Sequence, residues 1–266
     1  MKFMPAVMVG LVLSASLASG AVKTRTIEYE QGGAKLKGFL AWDDAAQGKR
    51  PGIIVCPEWW GLNDYAKYRA EKLAELGYVA LAVDLFGDGK TTEDPKQAGT
   101  WAGALKADRA LLRQRVNAGL EELKKIENVD PRKTAAIGYC FGGTTAIELG
   151  RSGADVKAIV TFHAGLDSPS PADGKNIKAR LLVCHGGNDG FTSEKDLDAF
   201  ENEMRENHVD WQLNIYGGAV HSFTNPNADK HGIPGIAYNP EADRRSWQAM
   251  QLFFNETLGA EPAPGK

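Results

Sequence analysis

The sequence predicts an α/β fold in which helices cover both faces of a mostly parallel central sheet. Short apolar runs, such as residues 52–56 and 78–83, have the length and composition of strands that are buried on both faces. Longer segments with apolar residues at helical spacing separate these runs. Such alternation of strand and helix is typical of an open parallel sheet. With 266 residues, the chain is long enough for one large domain of this class.

The first strand is predicted from alternation and the later strands from continuous apolar runs. Residues 24–30 alternate in polarity and precede a Gly-Gly turn, so residues 36–41 are predicted to be their hairpin partner. The buried strands that follow are predicted at residues 52–56, 78–83, 134–137, 158–162, 179–183 and 211–216.

Helices are predicted where apolar residues recur every three or four positions between these strands. Asn63 supplies an N-cap for the first helix, and Gly77 ends it. The second helical region is long, and its leucines keep helical spacing from Leu105 to Leu123. The predicted helices cover residues 63–76, 96–126, 193–207 and 241–258, and another helix opens at residues 144–149.

Composition and charge narrow the class of partner. Hydrophobic residues make up 43% of the chain, so we expect a packed core. The net charge is −3, and no basic stripe occurs, which gives no support to nucleic-acid binding or to binding at a membrane surface. A small molecule is therefore the expected partner, and a monomer is the expected state.

The first twenty residues differ from the rest of the chain. Lys2 is followed by an apolar stretch at residues 6–13 and by small residues at 14–20. This order is typical of a secretory signal peptide, and the stretch is too short for a membrane span. We therefore expect an exported protein, periplasmic or secreted, whose single α/β domain covers residues 21–266. An ordinary amphipathic N-terminal helix is the alternative interpretation.

The chain contains three cysteines, Cys56, Cys140 and Cys184. An odd number leaves at least one free thiol, and three cysteines do not make a disulfide framework. Cys56 and Cys184 each end an apolar run, which is typical of small core residues. A disulfide between these two stays open at this point.

Cys140 lies in the sequence Gly-Tyr-Cys-Phe-Gly-Gly, residues 138–143. An apolar strand precedes this segment and a helix follows it. A strand, a sharp turn between glycines and a helix, with a nucleophilic side chain at the tip, make up a nucleophile elbow. Glycine is needed at positions 138 and 142 because strand and helix pass close to each other there. A buried structural cysteine in a glycine-rich turn is the alternative.

Four candidate catalytic side chains follow predicted parallel strands, whose carboxyl ends meet at one edge of the sheet. They are Glu58, Cys140, Asp189 and His221. The order nucleophile, acid, histidine is that of the α/β-hydrolase fold. A thiol needs a base to take its proton, and the acid orients the imidazole that does so.

Other residues are weaker candidates for these roles. Asp84 is the rival acid, and His163 and His185 sit directly at strand ends. A zinc site is disfavoured because no C-x-x-C or H-x-x-x-H spacing occurs. We therefore expect neither a metal nor an organic cofactor.

Five segments in this order resemble the dienelactone hydrolase family of α/β hydrolases. They are Val-Cys-Pro-Glu-Trp-Trp-Gly-Leu-Asn at 55–63, Val-Asp-Leu-Phe-Gly at 83–87, Ile-Gly-Tyr-Cys-Phe-Gly-Gly at 137–143, His-Gly-Gly-Asn-Asp at 185–189 and Gly-Ala-Val-His-Ser-Phe at 218–223. The resemblance spans roughly residues 38–254. It implies a triad of Cys140, His221 and Asp189.

The resemblance also implies roles for residues around the triad. It implies that Glu58 contacts the Cys140 thiol at rest and takes its proton when substrate binds. It implies an oxyanion hole made by the backbone N–H groups of Trp59 and Phe141. Each donor of this kind is worth roughly 3 kcal/mol of transition-state stabilisation.

The sequence departs from the family at the residues that bind the carboxylate group of the substrate. Family members that open dienelactones hold it with two arginines, and neither corresponding stretch, 84–90 or 221–225, contains arginine. Lys90 lacks the bidentate fork of arginine. We therefore expect an apolar pocket, lined by Trp60, Phe86 and Phe223, for a neutral or aromatic acyl group. Core packing is the alternative role for each of these aromatic residues.

Together these observations predict a carboxymethylenebutenolidase-like hydrolase that cleaves small esters or lactones through a cysteinyl acyl-enzyme. A thioesterase or peptidase-like hydrolase on the same scaffold is the nearest alternative. A thiol-reactive redox protein and a catalytically idle binding protein, each using Cys140, are alternatives of other classes.

Overall fold

The structure is a computed structural model that describes residues 20–259. The predicted signal peptide, residues 1–20, lies outside the described residues except for Gly20, and so do residues 260–266 of the predicted domain. Within residues 20–259, no helix is long and apolar enough to cross a membrane.

One eight-stranded sheet runs through the described part of the chain, in the order β1-β2-β4-β3-β5-β6-β7-β8. Its strands are Val22–Gln31 (β1), Ala34–Asp43 (β2), Arg50–Cys56 (β3), Val79–Ala82 (β4), Val129–Tyr139 (β5), Ala158–Phe162 (β6), Arg180–Gly186 (β7) and Trp211–Tyr216 (β8). β1 and β2 form the predicted antiparallel hairpin, and β2 is also antiparallel to β4. All other pairings are parallel, which confirms the mostly parallel sheet.

Six α-helices lie between residues 20 and 259 and cover this sheet. They are Asp64–Glu75 (α1), Pro95–Ala107 (α2), Arg109–Lys124 (α3), Phe141–Arg151 (α4), Glu194–Glu206 (α5) and Pro240–Leu258 (α6), and the 3-10 helices are Pro171–Asn176 and Ala228–His231. The predicted cap of α1 is confirmed, because the Asn63 side chain accepts a hydrogen bond from the N–H of Ala66. The prediction of one continuous helical region over residues 96–126 is wrong. Asp108 ends α2 and caps α3 by accepting the N–H of Leu111, so the chain turns there.

The core has two layers, one on each face of the sheet. Side chains of β3 point alternately into the two layers. Ile54 belongs to the layer that α2, α3, α4 and α5 cover, whereas Ile53 belongs to the layer that α1 and α6 cover. This two-sided burial explains why the central strands are continuous apolar runs. Helices on both faces were predicted, and the packing confirms them.

The two remaining cysteines are structural. Cys56 ends β3 and Cys184 lies in β7, with β5 and β6 between them, and the two side chains join opposite core layers. Both thiols are free and buried. A disulfide between them is therefore excluded, because two intervening strands hold them apart. Burial raises the pKa of the Cys184 thiol to about 12.

Candidate active site

Cys140 occupies the sharp turn between β5 and α4. Its φ of 54° and ψ of −121° are unusual for a residue with a side chain. A Cβ at position 138 would collide with the carbonyl oxygen of Gly142, and a Cβ at position 142 would collide with that of Cys56. Glycine at these two positions therefore permits the elbow, as the sequence predicted.

The elbow points the sulfur of Cys140 at a histidine. Sγ lies 3.0 Å from Nε2 of His221, and Nδ1 of the same ring lies 2.8 Å from Oδ2 of Asp189. The second oxygen of Asp189 accepts the N–H of Phe191 at 2.9 Å, which fixes the carboxylate. Asp189 and His221 are both buried. The structure thus brings the three predicted triad residues together in the geometry of nucleophile, base and orienting acid.

The charges around His221 favour its protonated form. Burial alone would lower the pKa of His221, but its contacts with Cys140 and Asp189 raise it to about 10. This arrangement lets His221 hold the proton that the nucleophile gives up.

Two backbone N–H groups, one in the elbow and one in the loop after β3 that packs against Gly142, have no acceptor among residues 20–259. Phe141 is the first residue of α4, so its N–H has no partner within the helix. The N–H of Trp59 donates to no acceptor among the described residues. The N–H of Cys140 itself is occupied, since it donates to the carbonyl of Phe162 and to Nδ1 of His163. The positive end of the α4 dipole adds to the field at the sulfur.

Glu58 makes no hydrogen bond to Cys140 in the described part of the chain. Its two oxygens accept hydrogen bonds from the hydroxyl of Ser222 at 3.0 Å and from the amide of Asn225 at 2.7 Å. The Cys140 thiol lies against His221 instead. The expected resting contact between Glu58 and Cys140 is therefore wrong for this structure, because neutral donors satisfy the carboxylate. Burial raises the pKa of Glu58, and the bonds from Asn225 and Ser222 oppose that rise.

The rival residues have other partners. Asp84 accepts backbone N–H groups from Lys37, Phe86, Gly87 and Gly89, and it therefore organises a loop. His185 is buried, and its Nδ1 has no hydrogen-bond partner in the described part of the chain. No cluster of three or more His, Cys, Asp or Glu suited to a metal occurs within residues 20–259.

A comparison with known proteins decides the family. A model described as the dienelactone hydrolase family matches residues 36–258. The chain belongs to this family. It is therefore a carboxylic ester hydrolase with the α/β-hydrolase fold, consistent with curated relatives that carry the name carboxymethylenebutenolidase.

Two solved structures of the family are similar to this chain along most of its length. The protein called m3DLH is 49% identical, with a TM-score of 0.88, and the match covers 90% of this chain and 100% of that one. P91, a dienelactone hydrolase-like promiscuous phosphotriesterase from metagenomic libraries, is 44% identical, with a TM-score of 0.87 and the same coverage. Among curated relatives, Protein usf of Aquifex pyrophilus is 27% identical over 237 residues, which cover 87% of this chain and 98% of that protein.

The three aromatic residues that were predicted to line the pocket of this dienelactone hydrolase family member lie in different environments. Phe86 is half-buried and stacks on the ring of Phe141, with ring centroids 5.9 Å apart. Trp60 is buried and stacks on His231 at 4.1 Å. Phe223 is fully buried in the core layer of α1 and α6, so it has no surface to offer a substrate in this structure. For Phe223 the structure supports the core role that the sequence left open.

Sequence reasoning missed two aromatic residues, one beside His221 and one in contact with Phe86. Phe191 is 54% exposed, and its ring centroid is 4.8 Å from that of His221. Its position two residues after Asp189 was the only available signal. Trp101 of α2 packs against Phe86, with ring centroids 5.4 Å apart. The helical spacing of α2 gave no indication of this contact.

Proposed function

We propose that the protein hydrolyses small carboxylic esters and lactones through a cysteinyl acyl-enzyme. The observation that carries this proposal is the continuous hydrogen-bonded line from Asp189 through His221 to the sulfur of Cys140, with distances of 2.8 and 3.0 Å. The backbone N–H groups of Phe141 and Trp59, which have no acceptor among the described residues, would complete the set that acyl transfer requires.

Acylation begins when Sγ of Cys140 attacks the carbonyl carbon while His221 holds the thiol's proton on Nε2. The negative oxygen of the tetrahedral intermediate accepts hydrogen bonds from the N–H groups of Phe141 and Trp59. Collapse of the intermediate breaks the carbon–oxygen bond of the ester. His221 gives its proton to the leaving oxygen, and a thioester remains on Cys140.

Deacylation repeats these steps with water as the nucleophile. His221 takes a proton from water as the water oxygen attacks the thioester carbon. The second tetrahedral intermediate expels the Cys140 thiolate, and the proton taken from water stays on Nε2 of His221, which restores the starting state. Asp189 stays ionised throughout and holds the imidazole in one orientation. The products are a carboxylic acid and an alcohol, or a hydroxy acid when the substrate is a lactone.

The site favours neutral substrates with aromatic or apolar groups. Phe86, Trp101 and Phe141 form a contiguous aromatic wall beside the oxyanion donors. Neither stretch that carries the family's carboxylate-binding arginines contains one here. Because His221 protonates the leaving group, the exposed ring of Phe191 lies on the leaving-group side of the sulfur. An aryl or otherwise apolar alcohol is therefore the favoured leaving group.

Initial-rate hydrolysis of p-nitrophenyl acetate and a panel of small lactones tests the proposal. Wild type is expected to turn over, and Cys140→Ala is expected to lose about 10⁴-fold or more in kcat. Cys184→Ala, which removes a buried thiol from the core, is the matched control and is expected to stay active. Folded wild-type protein without turnover would contradict the proposal. Thioester and peptide substrates in the same assay separate the rival hydrolase activities.

A second candidate activity is the hydrolysis of phosphotriesters. It is favoured by the similarity to P91, at 44% identity over 90% of this chain, and by the neutral aromatic wall. Sγ would attack phosphorus, the aryloxide would leave with a proton from His221, and water would release the dialkyl phosphate. Turnover of diethyl p-nitrophenyl phosphate that is lost in Cys140→Ala would support this activity. Ester turnover without phosphotriester turnover would exclude it.

The redox alternative lacks a partner for Cys140. The other two cysteines, Cys56 and Cys184, are both buried in the core. Burial raises the pKa of both thiols, so neither is an ionised nucleophile ready to attack an oxidised Cys140. The hydrolase proposal uses the same thiol with partners that are already in place.

We also propose that the protein is exported and acts as a monomer. Export is supported by the charged, apolar and small-residue segments of residues 1–20. N-terminal sequencing of protein recovered from the periplasm or medium tests export, and an intact residue 1 on cytoplasmic protein would contradict it. Light scattering of the purified protein tests the monomer, and a dimer mass would contradict that.

A further inference from the structure

His163 lies directly behind the nucleophile elbow. It follows β6, is fully buried, and has a φ of 42°, in the left-handed region that few residues with side chains adopt. The triad does not use it, although its ring centroid is only 5.2 Å from that of His221. A buried imidazole this close to a catalytic one requires a physical explanation.

Both ring nitrogens of His163 have partners. Nδ1 accepts the backbone N–H of Cys140 at 3.1 Å, so this nitrogen carries no proton. Nε2 lies 2.8 Å from the hydroxyl oxygen of Thr224 and donates its proton there. The neighbours thus fix one neutral tautomer. Burial, together with the charge of His221, holds the pKa of His163 well below its usual range.

The side chains beyond His163 lock it in place. The Thr224 hydroxyl is 2.6 Å from the hydroxyl of Tyr65, and Arg69 donates to that tyrosine at 3.2 Å. Arg69 also donates to the backbone carbonyl of Thr224 at 2.7 Å and pairs with Asp243. The histidine therefore rests on a buried, hydrogen-bonded frame that reaches from α1 to α6.

We propose that His163 is a positioning residue that holds Cys140 in its strained backbone conformation and so aims the thiol at His221. A residue at positive φ keeps that conformation only where its surroundings hold it. The Cys140 N–H donates to two acceptors, the carbonyl of Phe162 at 3.0 Å and Nδ1 of His163 at 3.1 Å, and His163 supplies the part of this hold that comes from a side chain. Together the two acceptors direct that N–H away from the substrate, which leaves Phe141 and Trp59 as the oxyanion donors. The inference rests on Cys140 being the nucleophile.

Two substitutions of His163 distinguish a positioning role from a role in core packing alone. His163→Asn keeps an acceptor, Oδ1, close to the position of Nδ1, and asparagine tolerates a positive φ. His163→Gly tolerates the same backbone but offers no acceptor. Both variants lose the ring and its bond to Thr224, so they differ chiefly in the acceptor for Cys140. Unfolding midpoints confirm that each variant is folded under the assay conditions.

The readouts are kcat and KM for p-nitrophenyl acetate and the rate at which iodoacetamide alkylates Cys140, localised by peptide mass spectrometry. For His163→Gly we expect kcat and the alkylation rate to fall about 10- to 100-fold with little change in KM. His163→Asn is expected to restore both to within about fivefold of wild type. Equal rates in both variants, whether high or low, would overturn the proposal. Alkylation needs no ester substrate, so absent ester turnover in wild type would count against the proposed function alone.

Discussion

The carboxylate of Glu58 accepts a hydrogen bond from the hydroxyl of Ser222 at 3.0 Å. Glu58 immediately precedes Trp59, whose N–H is the proposed oxyanion donor, and Ser222 immediately follows His221. One buried bond therefore ties the loop after β3 to the loop after β8. This contact fixes the loop that carries Trp59 relative to the loop that carries His221.

Substitution of Ser222 by alanine tests whether its hydrogen bond to Glu58 positions the two loops. Ser222→Ala removes one donor from Glu58 and leaves the bond from Asn225, so we expect kcat to fall about fivefold, the worth of one hydrogen bond. Steady-state kinetics on p-nitrophenyl acetate measures it. Ser152→Ala, which removes a serine hydrogen bond at the far end of α4, is the control and should leave kcat unchanged. An unchanged kcat in Ser222→Ala would show that the two loops hold their positions without this contact.

The titration of His221 is predicted to depend on its neighbour. Burial lowers the pKa of His221, the charge of Cys140 raises it most among the raising contributions, and the result is about 10. Cys140→Ala removes that charge, so the pKa of His221 should fall. Proton NMR of the imidazole Cε1–H signal measures the change, with Cys184→Ala as the control that keeps the high value. A pKa that stays near its wild-type value in Cys140→Ala would contradict this influence of Cys140 on His221.

The glycine requirement of the elbow predicts opposite effects at two glycines. Gly142→Ala places a Cβ against the carbonyl oxygen of Cys56, so we expect a loss of about 2 kcal/mol or more in the free energy of unfolding. Gly103→Ala lies within α2 with open space around its Cβ, so we expect a gain of about 0.5–1 kcal/mol. Urea denaturation of both variants measures these changes. Equal stability in the two variants would contradict the close approach of strand and helix.

The exposed ring of Phe191 predicts a preference among leaving groups. Phe191→Ala removes an aromatic surface beside His221, so we expect KM for aryl acetates to rise about fivefold while KM for ethyl acetate changes little. Leu252→Ala, at an exposed leucine of α6, is the control and should change neither. Equal effects on aryl and ethyl esters would show that Phe191 does not contact the leaving group.

The features that could be predicted from sequence depend on local chemistry. The elbow was predictable because only glycine fits at positions 138 and 142, and a strand and helix pattern flanks them. Asp189 and His221 were predictable because residues after parallel strands meet at one edge of the sheet. The elements themselves followed from apolar periodicity.

The features that could not be predicted depend on packing between distant segments. The break at Asp108 was hidden because α2 and α3 keep the same apolar spacing across it, although aspartate is a common cap. Phe223 resembled a pocket residue because it follows the catalytic loop, but the core layer of α1 and α6 covers it. The partners of Glu58 and His163 lie on other loops and depend on the fold as a whole.

Detection of an acyl-enzyme tests the central claim most directly. Wild-type protein is mixed with p-nitrophenyl acetate, quenched in acid during turnover and digested with trypsin, and the peptide of residues 134–151 is examined by mass spectrometry. This peptide contains Cys140 and no other cysteine. We predict an acetyl group on Cys140 in wild type and none in Cys140→Ala, which should also lose turnover. Turnover that persists in Cys140→Ala, or wild-type turnover with an unmodified peptide, would contradict the account.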